Sequence, residues 1–167
     1  PAEYNSFKRS LLGVALEGLG KPLRALIIEP PSAVLYGAVR GGSLRETYAV
    51  FDFGGGTLDI SFISGLNNVV SVLFSKGDNF LGGRDIDGAL IQFLRKEKRI
   101  KGDIDAGILS VMIADLKKKI SPNGGPQQTQ VRTSSGLETL SMSVGELNAV
   151  SDPFIDGAIK IFVEGAV

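Results

Sequence analysis

Apolar residues recur along this chain with two periods, and each change of period marks a new element. Phe7, Leu11, Val14 and Ala15 return every three to four residues, the spacing of one helix face. A helix is expected over residues 6–19, capped by Asn5 and stopped by Gly20. Residues 23–28 are apolar apart from Arg24 and read as a buried strand. Glu29, Pro30 and Pro31 halt it, because proline brings no N–H to a sheet ladder. Ser32 then caps a short helix over residues 33–39, before Gly41 and Gly42. Three strand-like runs follow, at 48–53, 58–64 and 69–75, joined by glycine-containing connections that predict an antiparallel meander.

The helical period returns at residues 85–99, with Ile86, Leu90, Phe93 and Leu94 on one face. Asp103 is expected to cap the next helix, where Ile104, Ile108, Met112, Leu116 and Ile120 recur every fourth position. Lys117, Lys118 and Lys119 fall in its last turn, and residues 121–126 read as a loop. Runs at 129–133 and 138–143 predict a hairpin. Ser143 and Glu146 have the spacing of a capping box opening a final helix. Pro153 is expected to break or restart that helix, with Asp152 as the new cap. The fold class is mixed α/β.

Composition narrows the chemistry. At 167 residues and 43% hydrophobic, the chain fits one domain, or one domain cut from a larger protein. Its 18 basic and 18 acidic residues cancel, which argues against direct nucleic-acid binding or an anionic membrane surface recruited by bulk charge. It has no cysteine and no histidine, so disulfides, thiol nucleophiles, imidazole triads and His-ligated zinc are excluded. No apolar run approaches the roughly 20 residues of a membrane span, and no signal peptide is visible. Glycine is the outlier, with 22 residues, about twice the usual share.

The glycines point to the candidate chemistry. An apolar run ends in Asp52, and then Gly54, Gly55 and Gly56 lead to Thr57 and Asp59. Three residues without Cβ let backbone N–H groups approach an anion closely, and Thr57 adds a hydroxyl donor. Asp52 and Asp59 repel phosphate, but they suit a hydrated cation lying between carboxylate and phosphate. The alternative is a tight glycine hairpin with two solubilising aspartates. P-loop and Rossmann patterns both fail: Gly20-Lys21 has Pro22 next, and a strand rather than a helix follows Gly56. A second motif runs from Gly77 and Asp78 through Gly82 and Gly83 to Asp85 and Asp87. It is either ordinary helix capping or the glycine lining of a nucleotide cleft. Glu29, held stiffly before two prolines, either caps a helix or stands exposed, or it holds a cation or a water. The lysines at 117–119 either form a solvated helix end or reach a ribose or phosphate.

Taken in order, these residues resemble the nucleotide-binding domain of the heat shock protein 70 family of chaperones. The resemblance starts at Pro1, Ala2, Tyr4 and Asn5, and continues through Ile28, Glu29, Pro30, Ala33, Tyr36 and Gly37. It is most specific over residues 51–61 and 77–87, and extends to Lys117, Lys118, Ser121, Glu146, Leu147 and Asn148. The divergent remainder, including the helix beginning Asn5-Ser6-Phe7, resembles the homologues encoded by closteroviruses, filamentous plant viruses.

The resemblance implies an actin-like ATPase (ribonuclease H-like) fold, of which this chain supplies the end of the first lobe and much of the second. It implies four segments: 1–41 ending the first lobe, 42–81 as the meander with the phosphate loop, 82–142 as a helical and hairpin subdomain, and 143–167 starting a return helix. Asp52, Gly54, Gly55, Gly56 and Thr57 match a phosphate loop binding ATP or ADP. Asp52, Asp59 and, through water, Glu29 match positions near magnesium, with potassium a further candidate. Glu29 and Asp52 match the catalytic positions. Gly82, Gly83, Lys117, Lys118 and Ser121 match nucleotide-binding positions. Ala114 stands where the family has a glutamate, and Arg84 where it has an acidic residue.

A first phosphate loop, an upstream lysine, a later adenosine loop and the peptide-binding domain with its lid are missing, which implies a partial sequence that by itself binds ATP weakly or not at all and does not turn it over. Implied partners are unfolded peptide, viral coat or movement proteins and a co-chaperone. The implied location is the host cytoplasm, the virion or plasmodesmata. The two functions in view are an ATP-driven chaperone and a non-catalytic virion-assembly or cell-to-cell movement component.

Overall fold

The computed structural model describes residues 6–18, 47–66, 69–123 and 125–166. In order these form α1 (Ser6–Glu17), β1 (Thr47–Phe53), β2 (Leu58–Leu66), β3 (Val69–Asp78), α2 (Gly83–Lys96), α3 (Ala106–Asn123), β4 (Gln127–Thr133), β5 (Gly136–Met142) and α4 (Val144–Ala166). The strand expected at 23–28, the helix expected at 33–39, Asn5, Gly20, Glu29, Gly41 and Gly42 lie outside the described residues. The chain divides into two compact units, Pro1–Phe80 with Ile159–Val167, and Leu81–Ala158.

In the first unit the meander forms as the glycine-joined runs predict. β1 pairs antiparallel with β2, and β2 with β3, with one register shift between Phe62 and Ile63. β3 runs past Ser75 to Asp78, so the start of the second glycine motif is itself strand. Because side chains alternate across a strand, register sorts them onto two faces. One carries Phe51, Phe53, Ile60, Phe62 and Phe74. The last turns of α4 cover it: the Phe162 ring centroid lies 5.2 Å from Phe62 and 6.2 Å from Phe51. Gly165 lets this contact close, since a Cβ there would fall 2.5 Å from a Phe74 ring carbon. Lys76 Nζ reaches Glu164 Oε2 at 2.5 Å. The other face carries Val50 and Ile63, packed with half-buried Tyr48, and the hydroxyls of Ser61 and Ser75, 3.0 Å apart.

In the second unit α3 packs against α2 and β4. Ile86, Leu90 and Leu94 of α2 are buried, as are Leu109, Ile113, Leu116 and Ile120 of α3 and Val131, Leu140 and Met142 of the hairpin. The buried face of α3 corrects the expected every-fourth-residue stripe, since Ile108 is exposed. Four residues turn a helix by about 40° more than a full circle, so such a stripe winds off the face. The spacing 109, 113, 116, 120 stays on it.

Asp105, not Asp103, caps α3: its carboxylate accepts the Ile108 N–H at 3.0 Å and its carbonyl the Leu109 N–H at 2.9 Å. The helix also continues through residues 121–123, which the sequence reads as loop. Pro122 permits this because its fixed φ is helical, and the one bond it forgoes belongs to the carbonyl of exposed Lys118.

The hairpin pairs Thr133 with Gly136 across a two-residue turn, with Gly136 at φ +124°. The capping box forms as read: Ser143 N–H donates to Glu146 Oε2 at 2.8 Å, and Glu146 N–H to Ser143 Oγ at 3.3 Å. Pro153 neither breaks nor restarts α4, and Asp152 lies inside the helix. Pro153 and Ala149, whose carbonyl loses its donor, are both exposed, so water can replace that bond. Among the described residues no helix is long and apolar enough to cross a membrane.

Candidate functional site

The glycine turn sits at one end of the three-stranded sheet. Gly54 N–H donates to the Thr57 carbonyl at 2.8 Å, closing the connection between β1 and β2. Register places Asp52 directly opposite Asp59, and Asp59 opposite Gly77 on β3. The three positions form one row on one face of the sheet. Asp59 is buried and Asp52 exposed. Thr57 Oγ1 lies 3.4 Å from Asp59 Oδ2. Asp78 closes the neighbouring turn, its Oδ1 accepting the Phe80 N–H at 2.8 Å.

The glycines of the turn differ in what surrounds them. A Cβ on Gly54 would lie 3.2 Å from the Thr57 carbonyl oxygen, so the turn's own backbone restricts that position. A Cβ on Gly55 would meet nothing within 4 Å. Two carboxylates directly opposite on paired strands repel each other. A cation on that row would relieve the repulsion. Among the described residues no group of three or more acids, histidines or cysteines is placed to hold a metal. Two aspartates and a hydroxyl form a hard-oxygen set that suits a cation keeping most of its water, as magnesium does. Glu29, the third acid expected near a cation, lies outside the described residues.

The remaining candidate residues belong to the second unit. Gly82 is the N-cap of α2, with extended backbone and no side chain to cap with. Its carbonyl accepts the N–H groups of Asp85 at 3.1 Å and Ile86 at 3.3 Å. Lys117 reaches across from α3, with Nζ 2.8 Å from the Gly83 carbonyl oxygen and 2.6 Å from Asp87 Oδ1. Lys118 is exposed, and Lys119 pairs with Asp115 at 2.6 Å on the surface of α3. Ser121 lies in the last turn of α3 and its side chain is outside the description. Ala114 is half-buried.

The structure thus gathers Asp52, Gly54, Gly55, Gly56, Thr57 and Asp59 in one unit, and Gly82, Gly83 and Lys117 in the other. Lys118 joins neither group. Sequence reasoning missed Gly77 as the neighbour of Asp59 and Asp87 as the partner of Lys117. The second had a signal: Asp87 shares the face of Ile86, Leu90 and Leu94, and an acid on an apolar stripe demands a buried partner.

The family model described as Hsp70 protein matches residues 1–122. The chain belongs to the Hsp70 family. It is 41% identical to Movement protein Hsp70h of Grapevine leafroll-associated virus 3 (isolate United States/NY1), over 99% of this chain and 30% of that protein. It is 36% identical to Movement protein Hsp70h of Beet yellows virus (isolate Ukraine), over 98% of this chain and 27% of that protein. Heat shock 70 kDa protein, mitochondrial, of Solanum tuberosum is 41% identical over 61% of this chain and 15% of that protein. The viral matches over nearly the whole chain support a viral Hsp70 homologue. The chain spans under a third of the length of these relatives.

Proposed function

We propose that this chain is part of the nucleotide-binding domain of an ATP-binding Hsp70 homologue with the actin-like, ribonuclease H-like ATPase fold. The observation that carries the reading is the row Asp52, Asp59 and Gly77 beside a glycine turn whose Gly55 faces open space. Among the described residues, side-chain space explains Gly54 but leaves room for a Cβ at Gly55, whereas close approach of a phosphate does not. On this reading the N–H groups of Gly55 and Gly56 and the Thr57 hydroxyl donate to phosphate oxygens. Asp52 and Asp59 hold a hydrated magnesium ion, which when bound offsets phosphate charge. Potassium is a second candidate for the same hard-oxygen set. Glu29 and Asp52 orient the attacking water, so that hydrolysis proceeds by positioning and charge neutralisation. Gly82, Gly83, Lys117, Lys118 and Ser121 serve nucleotide binding as well.

In the whole protein, nucleotide state would govern the grip on a partner protein, in the host cytoplasm or at plasmodesmata. The names of the viral relatives favour movement as the biological role; virion assembly is a further role on this reading, with coat or movement proteins among the partners. The test is calorimetric titration of the full-length protein with ATP and magnesium. Wild type is expected to bind and Asp52→Asn to lose at least tenfold, about the worth of one charged ligand. Equal affinity in both overturns the assignment of the turn. If Asp52→Asn keeps full movement activity in plants while losing nucleotide, the protein acts as a scaffold that retained the fold.

A further inference from the structure

We infer that the basic end of α2, presenting Arg95, Lys96 and Lys98, is a docking surface for an acidic segment of a partner protein. Residues 95–101 carry five bases and one acid, in a chain of zero net charge. Arg99 is committed inside the fold: its guanidinium pairs with Glu146 and donates to the Ser141 carbonyl at 3.2 Å. Lys101 has Glu138 beside it, whose Oε2 accepts the Lys101 N–H at 3.1 Å. Arg95, Lys96 and Lys98 are exposed and pair with no acid among the described residues. The C-terminal end of a helix dipole is negative and favours cations. That accounts for Arg95 and Lys96 in the last turn of α2. Lys98, beyond the helix, needs another reason.

α2 closes in a Schellman motif: the Arg99 N–H donates to the Leu94 carbonyl at 2.9 Å and the Lys98 N–H to the Arg95 carbonyl at 3.0 Å. The motif puts Lys98 in the left-handed region, at φ 54°, and among the described residues no other non-glycine has a positive φ. Glycine is the usual occupant of that position, because a Cβ crowds the carbonyl there. Folding alone thus favours glycine at 98, and the chain keeps an ammonium instead. Backbone strain that folding does not need points to use. Arg99, pinned to β5 and to the start of α4, holds the strained turn in place.

The make-up of the patch selects the partner. Single-stranded nucleic acid needs aromatic faces on which bases stack. The one aromatic residue of α2, Phe93, is half-buried, with the Arg99 guanidinium 5.7 Å from its ring centroid. A membrane surface needs apolar side chains to insert beside the charges, and residues 95–99 have none. Exposed Glu97 stands among the bases. A phosphate chain, charged at every unit, meets it in any register, whereas a peptide can set a neutral residue opposite. An acidic peptide segment fits this pattern of charge.

The experiment uses the full-length protein and a fluorescent peptide of alternating glutamate and serine, with affinity read by anisotropy at low salt. Wild type is expected to bind. Arg95→Gln, Lys96→Gln and Lys98→Gly should each weaken binding about threefold, the worth of one exposed ion pair, and the triple variant at least about tenfold. Lys160→Gln, which removes an exposed charge from α4, should bind as wild type does. Added salt should weaken binding to wild type more than to the triple variant. Lys98→Gly is also expected to raise the melting temperature by about 2 °C, because it relieves the left-handed strain. Lys98→Arg keeps both charge and strain and should match wild type on both measures. A wild type that binds no peptide, a triple variant of unchanged affinity, or a Lys98→Gly protein no more stable than wild type overturns the inference. Tighter binding of single-stranded RNA, or of phosphatidylserine vesicles, through the same three residues overturns it too. Should the triple variant fail to fold, the three single variants decide.

Discussion

Two glycines with opposite surroundings separate what folding requires from what the proposed ligand requires. Among the described residues nothing lies within 4 Å of where a Cβ on Gly55 would project, and its φ lies outside the left-handed region. Gly55→Ala is therefore expected to leave stability within about 0.5 kcal/mol, as for other substitutions with no contacts. Its ATP affinity in the full-length protein is expected to fall more than tenfold, because a methyl group would stand where phosphate approaches. A stability loss with unchanged affinity would show the turn to be structural. Gly165 is the reverse case. A Cβ there would lie 2.5 Å from Phe74 Cδ1 and 2.7 Å from Phe62 Cε2. Rigid rings cannot give way as a flexible chain end does. Overpacking costs about 1–3 kcal/mol, against a helix-propensity gain of about 1 kcal/mol for Gly→Ala. Gly165→Ala is thus expected to lower the urea midpoint; a raised midpoint would mean that the end of α4 does not dock on the phenylalanine face.

Elements were legible where a local rule had no rival. The Ser143 and Glu146 spacing predicted a reciprocal cap, and both bonds form. Three strand-like runs joined by glycine-containing connections gave the meander, because such short connections bring consecutive strands back antiparallel. Expectations failed where a side-chain rule met packing: the cap of α3 moved from Asp103 to Asp105, and α4 ran through Pro153 on its exposed side. The capping box also carries a pH signature that sequence did not announce, because Arg99 arrives from beyond the end of α2. Its guanidinium pairs with Glu146, donates to the Ser141 carbonyl at 3.2 Å and lies 5.7 Å from the Phe93 ring centroid. The Arg99 hydrogen bond, and then the Ser143 N–H, lower the Glu146 carboxyl from 4.5 to about 2. A carboxylate lowered by folding contributes stability above its unfolded value and loses it as pH falls through the folded one. Wild type should therefore lose melting temperature steeply between about pH 5 and pH 2, and Glu146→Gln less steeply. Some slope should remain in the variant, because hydrogen bonds from the Lys101 N–H and the Thr133 hydroxyl lower Glu138 as well. Identical slopes in the two proteins would mean that the Arg99 pair does not form in solution.

At the scale of the molecule, what sequence concealed is pairing at a distance. Phe51, Phe62 and Phe74 were legible as strand residues and Phe162 as a helix residue, but no local period tells which helix covers a sheet. The residues of the candidate site were legible through the glycine motifs, whereas the alignment of Gly77 with Asp59 needed the register of β3. Charge is a whole-molecule property that the sequence states outright. Eighteen acids balance eighteen bases, and neither histidine nor cysteine is present. Histidine and cysteine are the side chains whose ordinary range falls between about pH 6 and pH 9, and this chain has neither. The net charge therefore stays close to zero over a plateau from about pH 6 to pH 9, not at a single point. Near-zero charge removes the repulsion that keeps molecules apart, and Val72, Leu73, Phe80 and Val111 offer exposed apolar contacts. Solubility of this chain expressed by itself, measured by light scattering on concentration, is expected to show a broad flat minimum across that plateau. It should rise only where carboxylates protonate or lysines deprotonate. A narrow minimum at the sequence isoelectric point of about 6.9 would contradict the charge argument, because no side chain titrates there to make it narrow.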